Sequence, residues 1–152
     1  TGTALGVART TIKTFIAHIE NRNLPFSMDK QVDSPQTHEL LADVMLMVDS
    51  AELLLDKGGA MVRDYAEAQE QMPVFERSQV RVYSSAAVKQ CVTAIDAMFA
   101  ASGGTALQDS NPLYKLSIEA RAVAAHAALA HENNLQLWGA ARLGKPLNSP
   151  MI

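Results

Sequence analysis

The chain has 152 residues, a length that suits one domain with its own core and is short for two. Hydrophobic residues make up 48% of the chain and aromatic residues 5%, and alanine is abundant, which favours packed helices over sheets. The net charge of −3, without a cluster of lysine and arginine, argues against nucleic-acid binding, and no apolar run reaches the roughly 18 residues of a membrane span.

The first predicted element is an amphipathic helix that begins with the chain and ends near Asn21. Its apolar residues recur every three or four positions and comprise Leu5, Ala8, Ile12, Phe15 and Ile19. Residues 22–34 include Pro25 and several polar side chains, so we expect a loop there.

The second predicted helix has the most regular pattern in the chain. Ser34 suits its N-cap and Pro35 its first turn. One apolar stripe then comprises Leu40, Val44, Met47, Ala51, Leu54, Gly58, Val62 and Tyr65. Glycine is costly in a helix, so the pair Gly58–Gly59 predicts a kink or the close approach of a neighbouring backbone.

A break at Met72–Pro73 precedes the third predicted helix, for which Ser78 is a suitable N-cap. Two adjacent apolar stripes follow, one of Val80, Tyr83, Ala87, Cys91, Ala94 and Met98, the other of Val88, Val92, Ile95 and Phe99. A helix with two apolar faces lies centrally, or at a subunit interface as well as in a core. Cys91 is the only cysteine and cannot form an internal disulfide, so we expect a core residue in a reducing, cytoplasmic protein. No signal peptide opens the chain, which agrees with that location.

The segment between the third and fourth helices does not have the pattern of a packed element. Gly103, Gly104 and Thr105 could bring backbone N–H groups close to an anion or a flavin, although paired glycines also end helices ordinarily. Ser110 or Asn111 can cap the fourth helix, with Pro112 in its first turn. The apolar stripe of that helix comprises Leu113, Leu116, Ala120, Val123, Ala127 and Ala130.

Two histidines fall in the second half of this predicted fourth helix. His126 stands among alanines beside the apolar stripe, where it is either a half-buried residue bonded to a carbonyl or a group that a flat ligand can approach. His131 stands at the predicted end of the helix, where a cation suits the helix dipole. A shorter helix from Glu132 to Leu143 follows, Gly144 and Pro146 end it, and residues 148–152 are expected to be extended.

These elements predict an all-α fold, an up-and-down four-helix bundle that forms a single domain over residues 1–152. No metalloprotease, paired-cysteine, nucleophile-elbow or phosphate-loop motif is present. Glutamate and histidine also lack the paired spacing of di-iron bundles, so we expect no metal site. Composition and periodicity alone lead no further.

Residues 101–144 resemble the C-terminal domain of two-component flavin monooxygenases, oxygenase subunits with an acyl-CoA dehydrogenase fold that include hydroxylases of 4-hydroxyphenylacetate and of phenolic steroid-degradation intermediates. The matching features are the run Ala101 to Leu107, then Ser110 to Leu113, then His126, then Leu137-Trp138-Gly139 and Leu143-Gly144. In helix order the resemblance covers essentially the whole chain.

The resemblance implies a longer flavoenzyme in which this bundle is the C-terminal domain and builds the core of a homotetramer. It implies that Gly103, Gly104 and Thr105 face the flavin, and that His126 lies near the flavin C4a atom and the substrate. Members of the family take reduced FMN or FAD from a separate reductase, form a C4a-hydroperoxide with oxygen and hydroxylate an aromatic ring. An isolated C-terminal domain would therefore be inactive.

Two positions depart from the family pattern. An Arg-Asp pair is usual a few residues after the Pro-Leu, and Ile118-Glu119 stands there instead. Lys115 occupies a position where arginine is common. These departures bear on the usual salt-bridge network and on contacts to the flavin phosphate.

Two alternatives stay open. The acyl-CoA dehydrogenases carry their catalytic glutamate in an Ile-Tyr-Glu-Gly-Thr segment, whereas this chain has Ala-Ala-His-Ala-Ala in that neighbourhood. If the 152 residues were the whole polypeptide, the chain would be a helical oligomerisation module without catalysis. It starts in a helical pattern without a methionine, so we expect a fragment, and we expect it to self-associate through its second and third helices.

Overall fold

The structure is a computed structural model that describes residues 1–25 and 27–147. In that part of the chain there are five α-helices and no named β-strand. The helices are α1 (Gly2–Ile19), α2 (Pro35–Glu67), α3 (Val74–Ala101), α4 (Pro112–Ala124) and α5 (His131–Arg142). The all-α prediction is confirmed, while the predicted extended tail at residues 148–152 lies outside the described residues.

Side-chain contacts fix the direction of each helix. The end of α1 meets the end of α3, since Arg22, just beyond α1, bonds the Ala101 carbonyl, so α1 and α3 run parallel. The six-residue connection between α2 and α3 turns the chain back, so these helices are antiparallel. α4 and α5 run one after the other back along α3 and together form the fourth rod of the up-and-down bundle.

The third helix is the centre of the bundle, as its two apolar stripes predict. It packs against each of the other four helices. Its buried residues include Ala87, Val88, Cys91, Ala94, Ile95 and Met98. In the second stripe Val88 and Ile95 are buried while Val92 and Phe99 are half-buried. The large apolar side chains that stay exposed on the long helices belong mainly to α2, among them Met45, Leu46, Leu53 and Val62.

Several helix ends lie where the sequence predicts them. α2 begins at Pro35 after Ser34, and Asn111 caps α4 by accepting a hydrogen bond from the Leu113 N–H at 3.0 Å. Gly144, at φ +64°, ends α5 as expected. The Gly58–Gly59 pair does not interrupt α2, and a Cβ at Gly58 would make ordinary contacts of 3.8 to 3.9 Å with Val80 and Tyr83 side chains.

The predicted start of the third helix is wrong. α3 begins at Val74, one turn before the predicted cap, and Ser78 lies inside it. The Ser78 hydroxyl is fully buried and donates to the Phe75 carbonyl at 2.6 Å, which satisfies it within the helix. Among the described residues, no helix is long and apolar enough to cross a membrane.

Candidate functional site

The predicted fourth helix is broken, and the break carries His126. α4 ends at Ala124, a short 3-10 turn covers Ala127–Leu129, and α5 begins at His131. The backbone of His126 is extended, with φ −67° and ψ 128°. The prediction that one helix continues to His131 is therefore wrong, and His126 sits on an exposed corner between two helices.

His126 is held by a hydrogen bond within its own turn. Its Nδ1 accepts from the Ala128 N–H at 3.2 Å. A neutral imidazole whose Nδ1 accepts carries its proton on Nε2. Within residues 1–25 and 27–147, this Nε2–H has no acceptor, so the corner presents a hydrogen-bond donor to solvent or to a ligand.

The turn at Ala127–Leu129 is held by a buried side chain of the following helix. Asn134 on α5 is 1% exposed, and its Nδ2 donates to the Ala128 carbonyl at 2.9 Å. Its Oδ1 accepts from Arg81 Nε at 3.1 Å. The N–H and the carbonyl of Ala128 are thus both bonded, one to His126 and the other to Asn134, which fixes the turn that carries His126.

The glycine loop lies at the end of α3 and leads into another short 3-10 turn, Gly104–Leu107. Gly103 has φ +69°, a conformation that favours glycine, and a Cβ there would collide with Arg22 Nη2. A Cβ at Gly104 would meet nothing within 4 Å. Among the described residues, the backbone N–H groups of Gly104 and Thr105 have no acceptor, so two donors are open beside an accessible backbone.

Arg22 is the residue at this loop that the sequence pattern did not single out. Its Nη1 donates to the Ala101 carbonyl at 2.8 Å and to Gln31 Oε1 at 2.6 Å. Gln31 is 5% exposed and donates to the same Ala101 carbonyl at 3.0 Å. The positive guanidinium thus lies at the C-terminal end of α3, where it interacts favourably with the helix dipole, and its Nη2 lies beside Gly103. Only its position in a predicted loop was visible in the sequence.

The two predicted site segments lie at opposite ends of α4. The glycine loop precedes the helix and His126 follows it, and α4 has 13 residues. At 1.5 Å per residue, about 20 Å of helix separates them. They are therefore not one compact site, although a long ligand could touch both. None of the described residues forms a cluster of three or more metal-binding side chains.

The predicted role of His131 as a C-terminal cap is wrong, because His131 is the first residue of α5. Its Nδ1 lies 3.0 Å from the hydroxyl of buried Ser85 on α3. The adjacent Glu132 has a carboxyl whose pKa is lowered by a hydrogen bond from its own backbone N–H, and the positive charge of Lys89 lowers it further.

In the core, burial raises the pKa of the Cys91 thiol from 9.0 to about 11.

The bundle, its broken fourth rod and its glycine loop define a helical domain of the acyl-CoA dehydrogenase type. Residues 1–131 match the family described as acyl-CoA dehydrogenase, C-terminal domain. The chain therefore belongs to this family, as the resemblance predicted.

Similar proteins include oxygenase subunits. The flavin-dependent monooxygenase oxygenase subunit HsaA of Rhodococcus jostii is 28% identical over 142 residues, which cover 90% of this chain and 37% of that protein. The structure of XiaF from Streptomyces sp. in complex with FADH2 and glycerol superposes with a TM-score of 0.92 at 25% identity, over 98% of this chain and 38% of that one. For the 3-HSA hydroxylase from Rhodococcus sp. RHA1 the TM-score is 0.86 at 26% identity, over 98% and 39%. The chain thus spans less than two fifths of each protein.

Proposed function

We propose that this chain is the C-terminal bundle of the oxygenase component of a flavin-dependent monooxygenase that hydroxylates an aromatic or phenolic substrate. The observation that carries the proposal is the His126 corner, where a fixed imidazole presents an Nε2–H that has no acceptor among residues 1–25 and 27–147. The similarity to HsaA and to XiaF, whose structure holds FADH2, supports the choice of flavin chemistry.

The glycine loop has the chemistry of a phosphate-binding segment. The open N–H groups of Gly104 and Thr105 are hydrogen-bond donors, and Arg22 Nη2 adds positive charge beside them. These residues fit the phosphate of FMN or the diphosphate of FAD. Lys115 and the Ile118-Glu119 pair, which depart from the family pattern, lie on α4 beyond this loop, and among the described residues no hydrogen bond joins them to it.

His126 is proposed as the catalytic residue of this chain. A bound reduced flavin would supply the activation of oxygen, which no side chain of the bundle can perform. The Nε2–H of His126 would then donate a hydrogen bond to the reacting oxygen. This bond would hold the Nε2 proton beside that oxygen. Because Nδ1 is engaged by Ala128, donation from Nε2 is favoured over proton abstraction by the same nitrogen.

A flavin that touches both ends of α4 would need walls from elsewhere. About 20 Å separates the two segments, and each is exposed to solvent, so further domains or a second copy of the chain must enclose the cofactor. We further propose that the whole enzyme is a homotetramer in the cytoplasm and receives reduced flavin from a separate reductase, a proposal supported by the similarity to the oxygenase subunit HsaA. The absence of a carboxylate between Ala124 and Ala130 speaks against the dehydrogenase alternative.

The two chemistries can be separated by assaying the full-length protein against two panels. One panel contains phenols with reduced FMN or FAD and oxygen, and the other contains acyl-CoA thioesters with an artificial electron acceptor. We expect hydroxylated products from the first panel only. Oxidation of an acyl-CoA without any hydroxylation would make the dehydrogenase alternative correct.

A further inference from the structure

An open cleft of about 290 Å³ lies beside the broken turn, on the side of α3. Its apolar lining consists of Val88, Val92, Ala124, Leu129 and Ala130. The polar residues of its lining are Ser85, Lys89, Thr93, His131 and Glu132. An apolar wall with a few polar groups at one edge is the usual composition of a small-molecule site.

The contact with Ser85 is the basis on which we assign the tautomer of His131. Ser85 is 1% exposed, and its hydroxyl donates to the Val82 carbonyl at 3.1 Å. The Ser85 oxygen also lies 3.0 Å from His131 Nδ1, and with the hydroxyl proton directed to Val82 we assign this contact as a hydrogen bond donated by Nδ1–H. Nε2 of the neutral ring therefore carries a lone pair, and it has no partner among the described residues. His131 thus offers an acceptor, the opposite of His126.

Other polar groups at this edge are also acceptors. The Thr93 hydroxyl donates to the Lys89 carbonyl at 2.9 Å, which leaves its lone pairs. Gln90 Oε1 is buried and has no hydrogen-bond partner in the part of the chain that the structure describes. Gln90 lines an adjoining cleft that shares Lys89, Thr93 and His131 with the first. A buried acceptor without a donor is costly, so a ligand that brings a donor is favoured here. Lys89, in contrast, is exposed and lies 3.7 Å from Glu132.

We infer that this cleft binds a phenol, with the aromatic ring against Val88, Val92 and Leu129 and the hydroxyl donating to His131 Nε2. A cavity of about 150 Å³ holds a benzene ring, so the cleft has room for one substituted ring and little more. A carboxylate fits less well because it brings no donor. The choice of a phenol rests on the proposed function, whereas the acceptor at Nε2 does not.

Binding can be measured on the full-length protein by calorimetric titration with phenol and with anisole, in the absence of flavin. Anisole has the same ring but no hydroxyl proton, and we expect it to bind about fivefold more weakly than phenol, as one lost hydrogen bond predicts. His131→Ala should weaken phenol binding by a similar factor and remove the preference over anisole. His38→Ala, at an exposed histidine on α2, is the matched control and should change neither.

Val92→Phe is a second variant, which keeps Ser85 and His131 but fills the cleft with a larger side chain, so it should abolish phenol binding. It tests the cleft even if His131→Ala does not fold. Equal affinities for phenol and anisole in the unchanged protein, or unchanged phenol binding in folded His131→Ala, would overturn the inference. If the protein binds phenol through His131 but hydroxylates no phenol, the proposed function is wrong and the binding site in the cleft stands. If His131→Ala and Val92→Phe hydroxylate phenols as fast as the unchanged protein, the binding site in the cleft is wrong and the proposed function stands.

Discussion

His126 carries the most specific functional expectation of any single residue. Replacing it with alanine removes the Nε2–H donor, and we expect hydroxylation by the full-length enzyme to fall about 100-fold, within the range of positioned proton-transfer groups. Hydrogen peroxide released per NADH should rise, because oxygen is then reduced without reaching the substrate. The side chain is exposed, so the bundle should stay folded, although the Ala128 N–H in the turn loses its acceptor. Product and peroxide are measured in the same reaction.

The control for this experiment is His38→Ala, which removes an imidazole from an exposed position on α2. It should alter neither the rate nor the peroxide yield. Full rate and full coupling in His126→Ala would make His126 a structural residue of the turn and would remove it from the proposed site.

Cys91 gives an expectation that does not depend on function. Burial raises its pKa to about 11, so the thiolate that reacts with disulfide reagents is scarce in the folded state at pH 8. Modification should be at least roughly 100-fold slower in the native chain than in urea. Because the folded pKa is raised above 9.0, the stability it contributes is complete below that pH and is lost as pH rises toward 11. Rapid modification of the native chain would contradict the buried position.

The sequence predicted these residues with uneven success. Cys91 and Asn111 follow from local pattern, since an apolar stripe and a cap position are visible in the sequence. Arg22 and His131 do not, because their partners, Ala101 and Ser85, are 79 and 46 positions away. A contact over such distances leaves no mark on local periodicity.

The break between α4 and α5 shows how hydrogen bonds between side chains and the backbone override helix propensity. The segment Ala124-Ala125-His126-Ala127-Ala128 consists almost entirely of the strongest helix former, so one continuous helix is the reasonable prediction. Asn134 instead bonds the Ala128 carbonyl, and the Ala128 N–H bonds His126. These two hydrogen bonds replace the helical ones. They are formed by the side chains of His126 and Asn134, whose contacts are not included in helix propensity.

The two glycines of the loop should respond differently to the same substitution. Gly103→Ala places a Cβ on a left-handed backbone and against Arg22, so we expect the free energy of unfolding to fall by about 2 kcal/mol. Gly104→Ala meets open space and should change it by about 0.5 kcal/mol or less. Urea denaturation measures both. An equal loss in the two variants would mean that Arg22 does not pack behind Gly103.

On the scale of the whole molecule, the bundle was predictable because four long amphipathic segments joined by loops leave few other arrangements. Self-association through the second and third helices stays a prediction. It was based on the apolar surface of the third helix, and in the structure α3 packs against the other four helices. On α2, Leu46 and Leu53 are seven residues apart and remain 65% and 70% exposed.

This exposed face of α2 predicts self-association of the chain. Light scattering should detect oligomers, and replacing Leu46 and Leu53 with glutamate should shift them toward monomers. Ile118→Glu, at a residue on α4 that is 50% exposed, is the matched control and should leave the mass unchanged. A monomer at high micromolar concentration in the unchanged chain would count against the prediction.

The central claim is that the full-length protein transfers an oxygen atom from O2 to an aromatic ring. A reaction of that protein with reduced flavin, a phenol and ¹⁸O2, analysed by mass spectrometry, tests it most directly. We expect the hydroxylated product to gain one ¹⁸O atom per molecule, since the new hydroxyl comes from oxygen and not from water. Oxygen consumed entirely as hydrogen peroxide over the whole phenol panel, or a product labelled only from H2¹⁸O, would contradict the claim.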